Sequence, residues 1–596
     1  MPDVTPPSSD LGARPPTMGR LFRRHLFAYI LGGACLLASA AALNRIDWLS
    51  KAAIDSAFGG NTGRAVRASI GMVALTVLAF VAAVGSRYFI FSAVADVEYD
   101  LRRGILAKLH QLGGSFHRTM SAGDLMSRMT NDVVGVRATF GFGASQSLNV
   151  VFAFASSLQV MFGISWRLTL AASLTMPLVA VTMRYFSRHL LNFTRTNQQM
   201  LGQLASLVEG SLTGMRVIRS FGLEERELER FDLKNVDYFQ ANLSLARLRA
   251  LLGPILGLAS AASMLAFFWY GGILLCRPAS VPGAITKGDF FAFDLALTRM
   301  TWPLMAIGSI YSVIQRGRAC FGRIREIFDS VSEVRDSGTT IPNGTGLEVE
   351  GLSFSYADRD VLRDVSFRVM PGRSLAIVGR TGSGKSTLAQ LLVRMLPTPR
   401  GRVRLGGVDV CDMPIRELRR RVGYAQQSAF LFSTTVSRNV AFSMDDPDSA
   451  ESMARIRDAM GAAQVLREAL ELPNALDTVV GERGIQLSGG QRQRVALARA
   501  LAWAPPILLL DDPLSAVDSK TETAILEGLR GKMKAHSLVL VTHRVAAAAA
   551  CDEIAVLEDG RIVARGTHAA LISAGGLYAT FAKQQQLEQE TPEVGP

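Results

Sequence analysis

Long apolar runs alternate with basic segments in the first half of the chain, whereas the second half mixes polar and apolar residues as soluble domains do. Six runs predict membrane-crossing helices, at about residues 27–48, 66–91, 140–162, 168–183, 250–276 and 290–314. Most can cross about 30 Å of hydrocarbon as helix, and the fourth is expected to extend into the amphipathic stretch beyond it. A soluble core could hardly bury six such runs, so the pattern predicts a helical transmembrane domain over 19–328.

Basic residues predict how these spans are oriented. The connections 92–139 and 184–249 carry six and ten Lys and Arg residues, more than the other connections. Because cytoplasmic loops are enriched in Lys and Arg, both connections and both termini are expected in the cytoplasm. The bias is moderate, since Lys51, Arg64 and Arg167 fall on the predicted outer side.

The two long connections are patterned as helices that continue beyond the bilayer, with short interruptions at 120–124 and 210–214. Each interruption is expected to hold a short transverse helix against another domain. The remaining boundaries predict a disordered tail over 1–18, a linker over 329–346, a soluble α/β domain over 347–586 and a solvated tail over 587–596. The first apolar run could also be a cleaved secretory signal, but the further spans favour an uncleaved helix.

Composition agrees with a membrane protein. Of 596 residues, 49% are hydrophobic and 19% are charged, whereas soluble domains carry about 25% charged residues. The net charge of +13 suits an anionic lipid surface or nucleic acid. The five cysteines have neither disulfide-like nor metal-like spacing, so they are interpreted as structural.

Asp294 and Arg299 lie within the sixth predicted span. An ionisable group at membrane depth is costly unless it is paired or hydrated, so such residues commonly serve transport. Both are therefore candidates for lining a substrate cavity. For Asp294 the alternative is a position among the outer headgroups, because Lys287 and Asp289 precede it closely.

A glycine-rich turn is the strongest candidate site. An apolar strand pattern precedes it and an apolar helix pattern follows, which is the context of a phosphate-binding P-loop. Glycine backbone N–H groups and the helix N-terminus would face the phosphates. Lys385 would reach the β- and γ-phosphates of ATP, and Ser386 would bind Mg²⁺. The predicted ATP-binding residues of the turn are Gly379, Arg380, Thr381, Gly382, Ser383, Gly384, Lys385, Ser386 and Thr387.

A second phosphate-facing motif lies further along the chain, where a hydroxyl and bare backbone N–H groups open a predicted helix. It consists of Leu487, Ser488, Gly489, Gly490 and Gln491. Together with the P-loop, this motif resembles the signature of the ABC ATPases, and the resemblance covers the whole domain. It implies that two such domains meet head to tail and that this signature acts on the ATP held by the partner.

Two further positions resemble the metal-binding residues of that family. Asp511 ends an apolar strand, as the Walker B acid that holds Mg²⁺ does. Gln427 matches the glutamine that senses Mg²⁺ and touches the membrane domain. The adjacent Gln426 is a rival, but the residues that follow set the register in favour of Gln427.

Three more positions match the family one by one. Tyr356 occupies the place of the aromatic residue that stacks on adenine, and Asp518 that of the D-loop aspartate. His543 follows a second apolar strand and matches the switch histidine that contacts the γ-phosphate. The resemblance therefore implies a catalytic role for His543 and Gln427 beside the P-loop.

Asp512 departs from the family pattern. The family has Glu directly after the Walker B acid, as the base that polarises the attacking water. Asp is one methylene shorter, about 1.5 Å of chain, and a base must come within about 3 Å of the proton it takes. The substitution predicts slow or absent hydrolysis at the site built on this chain's own P-loop. The alternative is that small adjustments let Asp512 serve as the catalytic base.

The six-span domain fused to an ATPase resembles bacterial ABC exporters of the type IV fold over nearly the whole chain. Segments 221–224, 302–304 and 512–518 look most like multidrug-resistance-like half-transporters that pair as heterodimers. This implies ATP and Mg²⁺ as cofactors, a second half-transporter as partner, and the bacterial inner membrane as location. The implied cargo is a hydrophobic or amphiphilic molecule, such as a drug, lipid or peptide.

Three alternatives stay open at this point. One is a homodimeric exporter with Asp512 as a working base. Another is a DNA-linked ATPase of chromosome maintenance or repair, which also carries a P-loop and the Leu-Ser-Gly-Gly motif. Such ATPases insert a long coiled coil and have no membrane spans. Because this chain has predicted spans, no nucleic acid partner is expected. The third is an importer motor, although importers normally keep spans and ATPase on separate chains.

Overall fold

The computed structural model describes residues 17–590 apart from 174–175, 279–280, 357–358, 482–486, 516 and 534–535. The chain divides into two compact units. The first comprises the residues up to His110 and Ser121–Ser330, and the second comprises Gln111–Met120 and the residues from Val331 onward. Gln111–Met120 thus groups with the C-terminal unit, although the sequence pattern assigns it to the predicted transmembrane domain.

The described part of the first unit is helical. Two π-helical turns, Arg128–Asp132 and Thr139–Gly143, interrupt the helical stretch Ala122–Ile164, which is therefore numbered below as three helices. The helices before residue 331 are Met18–Arg24 (α1), Leu26–Phe58 (α2), Thr62–Gln111 (α3), Gly114–Thr119 (α4, second unit), Ala122–Ser127 (α5), Val133–Ala138 (α6), Ala144–Ile164 (α7), Trp166–Ser173 (α8), Met176–Thr213 (α9), Met215–Phe221 (α10), Glu224–Leu275 (α11) and Lys287–Asp329 (α12). At the first predicted interruption, 120–124, α4 ends at Thr119 and α5 begins at Ala122. At the second, 210–214, α9 continues to Thr213 and the short helix α10 begins at Met215.

Three stretches among the described residues are long and apolar enough to cross a membrane: Leu26–Phe58, Thr62–Gln111 and Ala122–Ile164. A fourth apolar stretch, Ala261–Leu275, is shorter. Residues 174–175 of the fourth predicted span lie outside the described residues. Helix α12 contains the sixth predicted span and carries four ionisable residues in its first half, which lower its mean hydropathy.

Polar contacts join α2 to the start of α12. The Lys51 ammonium lies 2.6 Å from the Asp289 carboxylate. The Asp55 carboxylate accepts from the Gly288 backbone N–H at 2.8 Å. A Cβ atom at Gly288 would lie 2.3 Å from the Lys51 carbonyl oxygen, so this close approach requires glycine. These contacts seat the first turn of α12 against the last turns of α2.

The described part of the second unit is an α/β fold with two sheets, which confirms the predicted fold class. Its strands are Leu347–Tyr356 (β1), Arg359–Val369 (β2), Ser374–Val378 (β3), Val403–Leu405 (β4), Val408–Asp409 (β5), Val422–Ala425 (β6), Ile507–Asp511 (β7), Ser537–Thr542 (β8), Glu553–Glu558 (β9) and Arg561–Gly566 (β10). Its helices after residue 330 are Lys385–Leu392 (α13), Ile415–Arg421 (α14), Val436–Val440 (α15), Ala450–Ala462 (α16), Leu466–Leu470 (α17), Gly489–Ala502 (α18), Ser519–Met533 (α19), Val545–Ala549 (α20), His568–Ala574 (α21) and Gly576–Glu590 (α22).

The larger sheet has the strand order β10-β9-β3-β8-β7-β6, and strands β9, β3, β8, β7 and β6 are parallel. Alternate residues of β3 face two hydrophobic cores, with Ala376 and Val378 in one and Leu375 and Ile377 in the other. Burial on both faces explains why the central strands are continuous apolar runs. Since parallel strands end at the same edge, the segments after β3, β6, β7 and β8 meet there.

The smaller sheet is antiparallel, with the order β2-β1-β4-β5. Leu347 pairs with Val369 on one side and with Leu405 on the other. The last residue of β1 is Tyr356, the predicted adenine-stacking residue, which pairs with Arg359 of β2. The fold thereby places Tyr356 at the end of the β1–β2 pairing.

Candidate functional site

Two glycines of the P-loop are required by the space around them. A Cβ atom at Gly379 would lie 2.2 Å from the Leu557 carbonyl oxygen. Gly384 has φ +101° and caps α13, and a Cβ atom there would lie 2.9 Å from the Val361 carbonyl oxygen. The loop can therefore turn sharply from β3 into α13 with its backbone N–H groups unobstructed, as anion binding requires.

The Lys385 ammonium is folded over the loop. It donates to the carbonyl oxygens of Gly379 and Arg380, both at 2.8 Å. Burial lowers the pKa of Lys385, and the nearby charges of Asp512 and Asp511 counteract this. The loop thus holds one cation beside its backbone donors, which suits a polyanionic ligand such as a nucleotide phosphate.

Ser386 and Asp511 meet at the carboxyl edge of the sheet. The Ser386 hydroxyl donates to the Asp511 carboxylate at 3.1 Å, and the Tyr424 hydroxyl donates to its other oxygen at 3.4 Å. Asp511 is 2% exposed, and burial raises its pKa. A buried carboxylate beside a hydroxyl is a set of hard oxygen donors, so these residues fit Mg²⁺.

Asp512 is held by its surroundings in an uncommon conformation. Its φ is +48°, its N–H donates to the Val541 carbonyl at 2.8 Å, and its own carbonyl accepts from Gln493 at 2.9 Å. The His543 Nδ1 atom lies 3.1 Å from its carboxylate. This hydrogen bond raises the pKa of His543, although partial burial opposes it. The shortened acid therefore already has a partner within its own chain.

The remaining residues around the predicted nucleotide site are more exposed. Gln427 follows the end of β6 and is exposed. The Asp518 carboxylate accepts from the Thr521 N–H at 3.0 Å at the start of α19, and this backbone hydrogen bond lowers the pKa of Asp518. Tyr356 is 37% exposed, and the Arg118 guanidinium carbon lies 5.8 Å from the centre of its ring.

The predicted signature opens helix α18. Ser488 and Gln491 form a capping box, in which the Ser488 hydroxyl accepts from the Gln491 N–H and the Gln491 amide oxygen accepts from the Ser488 N–H. The Gln491 amide nitrogen donates to Glu468 at 2.9 Å, and Arg494 binds both oxygens of the same carboxylate at 2.6 and 2.9 Å. These contacts make the N-terminus of α18 rigid, which suits recognition of an anion.

The two candidate cavity residues differ in their contacts. Arg299 forms an ion pair at 2.5 Å with Asp47, which is 0% exposed. Asp294 is half-buried, and its Oδ1 atom has no hydrogen-bond partner within the part of the chain that the structure describes. Arg299 therefore neutralises a buried acid of α2, and a cavity role for either residue remains a prediction.

The sequence patterns missed several residues that position the predicted site. Tyr424, Glu468, Gln493 and Gln585 contact it from distant points in the chain. Tyr424 lies three residues before Gln427 and could have been suspected from that proximity. Glu468 lies in the five-residue helix α17 and Gln585 lies in the C-terminal helix α22, and neither belongs to a recognisable motif, so nothing in the sequence marks them.

Comparison with known families gives two matches. Residues 29–304 match the family described as "ABC transporter transmembrane region", and residues 362–515 match the family described as "ABC transporter". The first match lies mainly in the first unit and the second match lies in the second unit.

Similar proteins span nearly the whole chain. It is 33% identical over 581 residues to the probable multidrug resistance ABC transporter ATP-binding/permease protein YheI of Bacillus subtilis, covering 96% of this chain and 97% of that protein. It is 33% identical to the multidrug resistance-like ATP-binding protein MdlA of Escherichia coli, with 88% of each covered. It is 35% identical to the ATP-dependent lipid A-core flippase of Aromatoleum aromaticum, covering 84% of this chain and 82% of the flippase.

A solved structure with the same architecture is that of a bacterial Atm1-family ABC exporter with ATP bound. It superposes with a TM-score of 0.77 at 27% identity, covering 96% of this chain and 99% of that one.

Proposed function

Because the chain belongs to the ABC transporter family, with transmembrane and ATPase regions fused in one polypeptide, we propose that it is one half of an asymmetric exporter whose own ATP site turns over slowly. The family membership makes it an ATP-hydrolysing, membrane-embedded exporter. It also removes the DNA-linked alternative, since residues 29–304 match a transmembrane region. The asymmetry, the partner and the cargo are what we propose.

The observation that carries the proposal is the state of Asp512. Its carboxylate is one methylene shorter than that of the family's glutamate and hydrogen-bonds His543 at 3.1 Å. A general base must reach the proton it takes to within about 3 Å. Because Asp512 is held against His543 and is 93% buried, its shorter side chain would fall short of the water that it would have to activate.

The rest of the P-loop site is equipped to bind ATP. The loop N–H groups and Lys385 would hold the phosphates, and Tyr356 would stack on adenine. Ser386, Asp511 and Gln427 would hold Mg²⁺, which neutralises phosphate charge when bound. His543 would contact the γ-phosphate, and Asp518 would belong to the D-loop facing the partner. Binding is thus retained where the base is compromised.

The signature Leu487 to Gln491 would complete the active site on the partner's P-loop. Its capping box and its anchoring to Glu468 leave it intact, in contrast to Asp512. An intact signature beside a shortened base supports a heterodimer with a second half-transporter over a homodimer. ATP binding would draw the two ATPase regions together, and the short helices near 120–124 and 210–214 would transmit that motion to the spans.

The cargo that we propose is hydrophobic or amphiphilic. Support comes from the names of two relatives, which refer to multidrug resistance and to flipping of lipid A-core. The proposed location is the bacterial inner membrane, with both termini in the cytoplasm. Asp294 and Arg299 remain the proposed cavity residues.

Exchange of the base tests the proposal directly. In the purified chain, Asp512→Glu would restore the missing methylene, so we expect ATP turnover to rise by about tenfold or more, the typical contribution of a positioned base being 10²–10⁴. Turnover would be measured as phosphate release in lipid nanodiscs, with Lys385→Ala as the background control.

Asp512→Asn distinguishes the asymmetric exporter with a slow site from the homodimer in which Asp512 is a working base. A slow wild-type site should lose little when its weak base is removed. Robust wild-type turnover that Asp512→Asn abolishes would favour the homodimer with a working Asp512 and refute the asymmetric site. Transport of fluorescent amphiphiles by the chain co-expressed with a half-transporter that has Glu at this position would then test the pairing.

A further inference from the structure

The C-terminal helix α22 is anchored firmly to the ATPase unit. Tyr578 is 2% exposed, and its hydroxyl lies 2.9 Å from the His568 Nδ1 atom. Phe581 packs against the larger of the two hydrophobic cores. A helix fixed in this way presents its other side chains at defined positions, so its polar contacts can be precise.

One such contact reaches the segment that carries His543. The Gln585 amide nitrogen donates to the His543 carbonyl at 2.6 Å, and the Gln585 amide oxygen accepts from the Val545 N–H at 2.7 Å. The Gln585 side chain thus hydrogen-bonds the backbone on both sides of Arg544. The second bond also satisfies the first N–H of helix α20, which has no partner within its own helix.

The segment 543–545, which Gln585 holds, also contacts other parts of the predicted nucleotide site. The His543 side chain hydrogen-bonds Asp512, and the Arg544 guanidinium forms an ion pair with Glu522. Arg544 also donates to the carbonyl oxygens of Val517 and Ser515, in the predicted D-loop, at 3.0 and 3.3 Å. A displacement of this backbone would therefore move both the histidine and the loop that follows Asp512.

We infer that Gln585 is a positioning residue for His543, through which the C-terminal helix sets the geometry of the switch histidine during ATP turnover. Gln585 acts on the backbone, since its two hydrogen bonds go to the His543 carbonyl and the Val545 N–H. Its removal should therefore slow the reaction step and leave ATP binding unchanged. The inference rests on the family's ATPase activity and is independent of the proposed weakness of Asp512.

Three variants of the full-length chain separate the possible roles. Gln585→Ala removes both hydrogen bonds. Gln585→Glu keeps an acceptor for Val545 but cannot donate to the His543 carbonyl. Gln584→Ala changes an exposed neighbour on the same helix and serves as the matched control.

Amide hydrogen exchange tests the contact and requires no turnover. In Gln585→Ala, exchange over residues 543–549 should rise roughly fivefold, the effect of one lost hydrogen bond. Peptides of the P-loop and the Gln584→Ala control should match the wild type. Unchanged exchange over 543–549 in Gln585→Ala would overturn the inference.

Turnover tests the positioning role. It would be measured both in the wild-type chain and in Asp512→Glu, so that a slow wild-type site does not hide the effect. We expect kcat to fall roughly fivefold in Gln585→Ala and Gln585→Glu, with KM for ATP unchanged. A rise in exchange without a fall in kcat would reduce Gln585 to a helix cap. Failure of Asp512→Glu to gain activity would count against the proposed function and leave the exchange result standing.

Discussion

At the scale of single residues, the pair of Asp512 and His543 concentrates the chemistry that distinguishes this chain. Asp512 adopts φ +48°, a conformation that costs a residue with a side chain about 1–3 kcal/mol. The hydrogen bonds to Val541, Gln493 and His543 hold it there. Strain that several contacts maintain at a site of predicted catalysis is typical of functional residues.

The pair should make stability depend on pH. The hydrogen bond to Asp512 raises the pKa of His543 above its ordinary value of 6.5. The contribution of the His543–Asp512 pair to the free energy of unfolding is therefore complete below about pH 6.5 and is lost as the pH rises through the pKa of His543 in the folded protein. We expect His543→Asn to lower the midpoint of thermal unfolding of the ATPase unit most in acid and least in alkali.

Asp512→Asn is the control for that measurement, because it removes the partner of His543 and should abolish the same pH dependence. A difference between wild type and His543→Asn that is constant with pH would contradict the assignment of the pair.

At the scale of elements, the buried pair of Asp47 and Arg299 joins α2 to α12. Asp47 is 0% exposed and Arg299 is 20% exposed, so neither charge is hydrated in full. Breaking a buried pair leaves one charge uncompensated, which costs about 3–5 kcal/mol, whereas replacing both partners is often nearly neutral. The pair thus makes the position of α12 depend on α2.

A double-mutant cycle would measure this dependence. Arg299→Ala should lower the midpoint of thermal unfolding in detergent strongly, because Asp47 is left buried and unpaired. The double variant of Asp47→Ala with Arg299→Ala should recover much of the loss. Arg325→Ala is the control, since the pair of Arg325 and Asp329 on the same helix is about half exposed on both sides and should contribute little. Equal losses in the single and double variants would rule out a coupled pair.

At the scale of the whole molecule, one polypeptide combines a helical membrane unit with an α/β ATPase unit. The match to the ATP-binding/permease protein YheI extends over 96% of this chain and 97% of that protein, and so spans both units. Because export has a direction, the function depends on which side of the membrane each connection faces. The distribution of basic residues predicts that the connection 277–289 faces outward.

Cys276 offers a test of that orientation, because it is exposed and ends α11 just before the connection. A membrane-impermeant maleimide should label it in intact spheroplasts, and Cys276→Ser should abolish the labelling. In that variant, Gln584→Cys on the C-terminal helix should be labelled only after permeabilisation. Labelling of Cys276 only after permeabilisation would show the opposite orientation.

Local sequence pattern was sufficient to predict much of the fold and many residues of the candidate site. The P-loop at 379–387, the strand that ends in Asp511 and the strand before His543 could all be predicted, because chemistry and apolar runs of neighbouring residues define them. The departure at Asp512 was equally visible, since it is a change of residue type at one known position. The sequence by itself thus determined the fold class and the family, and it supplied the predicted nucleotide-binding residues.

Tertiary structure alone decided which distant residues support the site. Gln585 meets His543 across 42 positions, Arg299 meets Asp47 across 252, and Glu468 meets Gln491 from a separate helix. Each contact is made by an ordinary polar side chain whose partner is set by packing, so no local pattern encodes it. The same holds for the side chain of Asp512, because its reach depends on a backbone conformation and a hydrogen-bond partner that only the folded chain supplies.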